Sequence, residues 1–250
     1  MERTVWYELP LNERIRTWLR LEFLFARVAH AAAGHSVWDS RAALEGLLDV
    51  FNLLGRSEPR TELLKDLDRH ATTLARLGGS RLDPLRAELD AIIAAIHALD
   101  TRRIEEVRQG DFLVALRQRN SIPGGTCQFD LPALHHWLQR EPEVRFEQIG
   151  QWLEPLEALR QGVTLLLRIV RAAAEPADEI AYGGFYQQSL DASAPSQLVR
   201  VALPGAVDVF PEISGGRHRF SIRFMRQPNP AQRPFQTDDD VGFALACCVI

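Results

Sequence analysis

Three arginines, Arg16, Arg20 and Arg27, recur at helical spacing within the segment NERIRTWLRLEFLFARV, which runs from Asn12 to Val28. At about 100° per residue, Arg16 and Arg20 lie about 40° apart and Arg27 falls between them. Guanidinium groups bind carboxylates and other anions through several fixed donors. The stripe therefore predicts a surface for an anion or an acidic peptide rather than a catalytic site, with a solvated helix face as the alternative.

A second arginine row is predicted in the segment RHRFSIRFM, residues 217–225. Because side chains alternate along a strand, Arg217, Arg219 and Arg223 are expected on one face and the apolar side chains between them on the other. One face would then pack against the core while the other could bind anions. A solvated strand face, with charges that protect a sheet edge, is the alternative.

The enzyme alternative would be built on Cys127 and His135. Cys127 follows Gly124 and Gly125, so a thiol nucleophile with a nearby base and backbone donors can be imagined. No sequence feature supplies the cationic surroundings that activate a catalytic thiol, so a buried cysteine beside a helix-capping turn is the competing interpretation. The adjacent His135 and His136 point to different faces of a helix and do not form a metal-binding pair.

Composition limits the remaining classes of function. The chain has 250 residues, a formal charge of −4 and a pI near 6.0, which argues against a general nucleic-acid-binding protein. Lys65 is its only lysine. The sequence contains no phosphate-binding loop, dinucleotide fingerprint, zinc-protease motif or serine-hydrolase elbow, so we expect neither a cofactor nor a metal.

Three cysteines, two of them adjacent, do not suggest a disulfide framework. The N-terminal residues lack the pattern of a secretion signal, and no apolar run is long enough to cross a bilayer. We therefore expect a cytoplasmic protein without a membrane partner.

The pattern of elements predicts an α+β fold, with a multi-helix domain over residues 10–176 and a smaller antiparallel β-sheet domain over 177–250. A short N-terminal strand at residues 4–9 is expected to join the two by pairing into the same sheet. Within the helical region, Asn12 and Asp130 are predicted helix caps, and Pro155 is expected to interrupt the last helical stretch.

Short β-rich runs follow Pro176, and one of them contains Gly183 and Gly184 within IAYGGFYQQSL. The segment Ser214–Gly216 is predicted to be a hairpin turn. The segment Gln227–Asp240, rich in proline and polar residues, is predicted to be an exposed loop.

Several sequence blocks, in order along nearly the whole chain, resemble the ZapD family of bacterial cell-division factors that associate with FtsZ. These blocks are PLNERIRTWLRLEFL (10–24), RTELLKDLDR (60–69), IPGGTCQFDLPALHHWL (122–138), GFYQ (184–187), RFSIRFM (219–225) and FALACC (243–248). No general requirement of a fold demands IPGG followed by FDLP, so the resemblance is specific.

The resemblance implies a homodimeric cytoplasmic protein, located at the mid-cell division site, that binds the acidic and apolar C-terminal tail of FtsZ. It would bundle and crosslink FtsZ protofilaments, promote assembly of the Z-ring and septation, and carry out no reaction. The matching basic positions of the family's interaction surface are Arg16, Arg20, Arg56, Arg60, His135, Arg219 and Arg223. We expect the helix row and the strand row to face one common cleft, whereas Arg27 lies outside the matching block. The alternative is a cysteine-dependent hydrolase or transferase that uses Cys127 and His135.

Overall fold

The computed structural model describes residues 3–55, 58–191, 193, 196–216 and 218–249. It contains a set of helices and two antiparallel sheets, which confirms the α+β class. The chain divides into two compact units, one formed by Met1–Arg16 with Leu167–Ile250 and the other by Thr17–Leu166. Two helices, the first and the last, each contribute residues to both units.

The helices follow the sequence signals closely. Their bounds are α1 (Glu13–Ala32), α2 (Val37–Leu54), α3 (Pro59–Leu77), α4 (Asp83–His97), α5 (Thr101–Gln109), α6 (Asp111–Asn120), α7 (Pro132–Leu138), α8 (Pro142–Leu153) and α9 (Glu157–Ala172). A short 3-10 turn, Glu154–Leu156, separates α8 from α9 and confirms the interruption predicted at Pro155.

The N-termini of the helices are capped in different ways. The Asn12 carboxamide oxygen accepts a hydrogen bond from the Ile15 amide at 2.9 Å, which confirms Asn12 as the cap of α1. Ser36 and Asp39 form a reciprocal capping box at the start of α2. The predicted cap at Asp130 is wrong, because α7 begins at Pro132 without a side-chain cap. Asp130 instead accepts a hydrogen bond from the Cys127 thiol at 3.3 Å.

The apolar stripes of the helices in the unit Thr17–Leu166 form its core. Trp18 on α1 is buried there and donates its indole N–H to the Asp66 carboxylate of α3 at 2.9 Å. On the outer side of α3, the exposed ammonium of Lys65 pairs with Glu62 at 2.9 Å. Fully buried aliphatic side chains fill the space between the helices, among them Leu44, Leu47, Leu63, Leu67, Leu89 and Ile96.

A buried arginine, Arg145 on α8, fixes three chain segments of the same unit. Its guanidinium donates to the Ser40 hydroxyl at 3.0 Å and to the backbone carbonyls of His35, Leu138 and Arg140 at 2.8, 2.9 and 2.6 Å. Only 4% of Arg145 is exposed. These contacts satisfy carbonyls at the C-terminal end of α7, which otherwise lack helical partners.

The strands belong to the other unit and form two sheets. Their bounds are β1 (Thr4–Pro10), β2 (Ala177–Ala181), β3 (Phe185–Ser189), β4 (Ser196–Pro204), β5 (Phe210–Gly215), β6 (Arg219–Arg226), β7 (Phe235–Gln236) and β8 (Val241–Val249). The first sheet has the order β1-β4-β8-β2 and the second the order β3-β6-β5, with β7 paired to β6. All of these pairs are antiparallel.

The two sheets share one apolar core, because alternate residues of each strand face the opposite sheet. Phe224 of the second sheet packs against Phe243 of the first with ring centroids 5.1 Å apart. The core residues are Ala181, Val199, Val201, Leu203, Phe220, Ile222, Phe224, Val241, Phe243 and Leu245.

Three predictions about β connections need correction. Gly183 and Gly184 do not lie within a strand, because both have positive φ and form the turn between β2 and β3. The segment Gln227–Asp240 is mostly exposed, yet it contains β7 and the buried Thr237, so it is not entirely a loop. The turn predicted at Ser214–Gly216 starts later than expected, because Ser214 and Gly215 still belong to β5. The Gly216 amide donates to the Arg219 carbonyl oxygen at 3.0 Å where β6 begins.

Candidate functional site

The three arginines of α1 differ in their partners. The Arg16 guanidinium pairs with the exposed Glu13 at 3.2 Å, one helical turn earlier. Arg27 pairs with Asp49 at 3.1 Å and with Glu45 at 3.7 Å, both on α2. Arg20 is exposed, and the described part of the chain offers its guanidinium no ion-pair or hydrogen-bond partner. Arg20 is therefore the arginine of this row with the greatest capacity to bind an external anion.

Arg60, on the first turn of α3, has a role within the fold. Its Nε donates to the Ile96 carbonyl oxygen at 3.1 Å and its Nη2 to that of His97 at 2.8 Å. These two carbonyls are at the C-terminal end of α4, where cationic donors satisfy orphan acceptors. An incoming carboxylate would compete with them for the same donors. The nearby candidate Arg56 lies outside the described residues.

Cys127 and His135 occupy the connection between α6 and α7 and the first turns of α7. The Cys127 thiol is hydrogen-bonded to the Asp130 carboxylate, which also lies 3.7 Å from Arg119. His135 is exposed on α7, and the described residues show no hydrogen bond between its ring and the thiol. A carboxylate beside a thiol is the opposite of the cationic surroundings that activate a nucleophilic cysteine.

The second arginine row lies on the outer face of the sheet β3-β6-β5. Phe220, Ile222 and Phe224 are buried, whereas Arg219 and Arg223 are exposed, as the alternation predicted. Neither arginine has an ion-pair partner among the residues that the structure describes. Arg217, the third member of the predicted row, is outside those residues.

The surroundings of this row are polar and open. In register, Arg223 lies between Phe185 of β3 and Glu212 of β5. Arg219 lines a shallow concavity of about 400 Å³ together with Gln187, His218 and Ser221. The outer face of this sheet therefore presents two unpaired guanidinium groups beside hydrogen-bonding side chains, which suits an acidic peptide.

Two other arginines of the unit that contains the strands both pair with one partly buried carboxylate. Glu8 on β1 accepts from Arg171 at 2.9 and 2.8 Å and from Arg200 at 2.9 Å. Burial alone would raise the pKa of Glu8, but the hydrogen bonds and charges of both arginines lower it on balance. Arg200 also lies over the Trp6 ring, 4.1 Å from its centroid. This cluster stabilises the strand β1, and both guanidinium groups are already engaged with Glu8.

Within the described residues, no group of three histidine, cysteine or acidic side chains is placed to hold a metal ion. No helix among these residues is both long and apolar enough to span a bilayer. The sequence pattern did not single out Tyr182 or Phe185. Both are exposed, and Phe185 lies opposite Arg223 in the register of β3 and β6. The alternation in FYQQS is the signal that could have revealed Phe185, because it places this aromatic side chain on the same face as the polar Gln187 and Ser189.

Comparison with known proteins gives consistent matches over most or all of the chain. The sequence model of a family described as ZapD, cell division protein, matches residues 19–223. The chain is 39% identical over 256 aligned positions to Cell division protein ZapD of Methylococcus capsulatus, with 100% of both chains covered. It is 36% identical to proteins of the same name from Aromatoleum aromaticum, covering 97% of this chain and 96% of the relative, and from Cupriavidus necator, covering 97% and 98%.

Proposed function

Because the chain belongs to the ZapD family of cell division proteins, we propose that it binds the acidic, apolar C-terminal tail of FtsZ and bundles FtsZ protofilaments. In the cell this activity would act at the mid-cell division site in the cytoplasm, where it would promote Z-ring assembly and septation. The observation that supports it best is the set of exposed arginines without a described carboxylate partner, Arg20, Arg219 and Arg223.

Bundling requires no reaction if the protein is a homodimer, as we also propose. A dimer carries two copies of the same tail-binding surface, so that two tails held at once become a crosslink. Neighbouring tails along a polymer raise the effective concentration, and modest affinity for each tail is then sufficient. Arg16, Arg56, Arg60 and His135 remain candidate contributors, and a shared cleft for both arginine rows stays a prediction.

Replacing Arg20 or Arg223 by alanine is expected to weaken binding to FtsZ roughly threefold to tenfold for each arginine, because each change removes a charge-assisted contact. The measurement is co-sedimentation with FtsZ polymers. The matched control is Arg102→Ala, since the Arg102 side chain is 88% exposed and lies 3.5 Å from the Asp100 carboxylate at the start of α5. Arg102→Ala should pellet with FtsZ like the wild type.

Salt gives an independent check of the same site. Raising the salt from about 50 mM to about 500 mM shortens the Debye length to a few ångströms, so bundling by the wild type should fall steeply. The Arg20→Ala and Arg223→Ala variants should show a shallower dependence on salt. Equal pelleting of wild type and both variants at every salt concentration would rule out this site assignment.

Replacing Cys127 by serine is expected to leave FtsZ binding within twofold of the wild type, roughly the size of a neutral surface change. The hydroxyl of serine can donate to Asp130 as the thiol does, so the turn before α7 is preserved. The same co-sedimentation assay measures it. A loss of FtsZ bundling in a folded Cys127→Ser protein would revive the cysteine-dependent alternative.

A further inference from the structure

Two aromatic side chains are exposed at the turn between β2 and β3. Tyr182 is 71% exposed and Phe185 is 41% exposed. They form an antiparallel bridge, with the Phe185 amide donating to the Tyr182 carbonyl oxygen at 3.1 Å. Directly opposite residues of an antiparallel pair place their side chains on the same face. The turn therefore presents two exposed aromatic side chains on the same face.

The backbone of this turn is held rigidly. Gly183 and Gly184 have φ of 54° and 68°, as in the tight two-residue turns that match the twist of paired strands. A Cβ atom on Gly184 would overlap the Thr237 carbonyl oxygen, so only glycine fits there. The Gly183 amide donates to the Asp240 carboxylate at 2.9 Å, and the Gln236 side chain donates to the Gly183 carbonyl oxygen at 2.9 Å.

The aromatic pair lies beside one of the unpaired arginines. Phe185 is the cross-strand partner of Arg223, so both side chains project from the outer face of the sheet β3-β6-β5. The inner-face residue next to Phe185 is Tyr186, whose ring packs edge-on against the core residue Phe243 at 5.2 Å. Phe185 therefore has no role in the sandwich core that would explain its aromatic side chain.

We propose that Tyr182 and Phe185 form an apolar subsite next to Arg223, which takes an apolar side chain of a bound acidic peptide while Arg223 binds an adjacent carboxylate. This inference rests on the proposed function, in which that peptide is the FtsZ tail. A rigid aromatic surface loses little conformational entropy on binding, and aromatic residues with arginine are the residue types that dominate binding energy at interfaces. The subsite supplies selectivity for a tail that is apolar as well as acidic, which arginines alone cannot provide.

Charge on the same face favours a peptide over a single-stranded nucleic acid. Glu212 is the cross-strand partner of Arg223 on β5, so a carboxylate lies in the same row as the guanidinium. A phosphate backbone, with a charge on every nucleotide, is repelled there, whereas a peptide can place a neutral residue at that position. The net charge of −4 also disfavours nucleic-acid binding.

The test uses fluorescence anisotropy of a labelled FtsZ tail peptide with the full-length protein. Phe185→Thr retains strand propensity and is expected to raise the Kd about tenfold, as expected for loss of an interface anchor. Phe235→Thr is the matched control. Phe235 is also exposed and lies on the short strand β7. Its neighbour Gln236 is the cross-strand partner of Met225, which shares the face of Arg223. Phe235 therefore points to the opposite face. This control should bind like the wild type.

A second peptide, in which the apolar residues of the tail are replaced by serine, distinguishes a direct contact from a structural effect. If Phe185 contacts those residues, the serine peptide should bind the wild type and Phe185→Thr with the same weak affinity. Arg223→Ala should weaken both peptides, because its carboxylate partner is present in both. A Phe185→Thr protein that loses the same factor for both peptides would overturn the subsite.

The outcomes separate this inference from the proposed function. A wild-type protein that does not bind the tail peptide overturns the proposed function and the subsite with it. Tail binding that depends on Arg223 but is unchanged in both Phe185→Thr and Tyr182→Thr overturns the subsite alone. Tighter binding of a labelled oligothymidine than of the peptide, lost in Phe185→Thr, would assign the surface to nucleic acid instead.

Discussion

Replacing Arg145 by methionine is expected to lower the free energy of unfolding by about 3–5 kcal/mol, the range for breaking a buried charged network. Methionine fills most of the same volume but donates no hydrogen bond. The carbonyls of His35, Leu138 and Arg140 and the Ser40 hydroxyl would all lose the same donor. Denaturant unfolding followed by helical circular dichroism measures the change.

Two further variants make this result specific. Arg145→Lys keeps the charge, but one ammonium group cannot reach four acceptors, so an intermediate loss of roughly 1–3 kcal/mol is expected. Arg140→Met removes a neighbouring exposed arginine whose backbone carbonyl, not its side chain, takes part in the network, and should stay within about 0.5 kcal/mol of the wild type. Identical denaturation midpoints for Arg145→Met and Arg140→Met would contradict the structural role of Arg145.

Lowering the pH from about 7 to about 4 is expected to remove about 3 kcal/mol of unfolding free energy through His70 alone. Burial of the imidazole on α3 lowers its pKa from 6.5 to about 4, and the positive charge of Arg69 lowers it further, whereas Asp66 opposes the shift. The folded state keeps His70 neutral. Above pH 6.5, His70 is neutral in both the folded and the unfolded state, and the free energy of unfolding is unaffected. Below pH 6.5, His70 binds a proton in the unfolded chain but stays neutral in the folded protein until the pH approaches 4, so stability falls.

The contribution of His70 is isolated by comparison with His70→Leu, which cannot titrate. Acidic residues titrate in both proteins, so the difference between their unfolding free energies cancels those contributions. We expect this difference to change by about 3 kcal/mol in favour of the leucine variant as the pH falls from 6.5 to 4. A difference that stays constant across this window would show that His70 is protonated in the folded protein.

The helical part of the fold could be predicted from sequence because its signals are local. Apolar periodicity and prolines at first-turn positions locate the helices, including the break at Pro155. Asp130 shows the limit of this reasoning. An aspartate before an apolar run is also free to accept a hydrogen bond elsewhere, and here it accepts one from Cys127.

The sheet order could not be predicted, because strand pairing joins residues far apart in sequence. β1 pairs with β4, and the register brings Glu8 opposite Arg200, nearly two hundred residues later. Gly183 and Gly184 illustrate a local ambiguity. A glycine pair between two β-rich runs fits either a continuous strand or a tight turn, and the contacts with Gln236 and Asp240 are long-range.

Sequence identified the arginines of the candidate site but not their availability. Arg20, Arg27 and Arg60 have the same side chain, yet Arg27 pairs with two carboxylates of α2 and Arg60 with carbonyls of α4. Those partners lie on other helices and leave no mark on the local pattern. Arg145 was overlooked for a related reason. It lies four residues before the buried Ile149, and a charge on an apolar helix face signals a buried network.

The solitary lysine has a practical consequence for experiments on this protein. Reagents that couple to side-chain amines, including most common dyes and chemical crosslinkers, have Lys65 as their only side-chain target. Its side chain is 61% exposed on α3 and paired with Glu62, so among side chains conjugation should give one defined attachment point. Neither arginine row contains a lysine, so reagents that react with guanidinium or carboxylate groups are the appropriate choice for mapping partners on those surfaces.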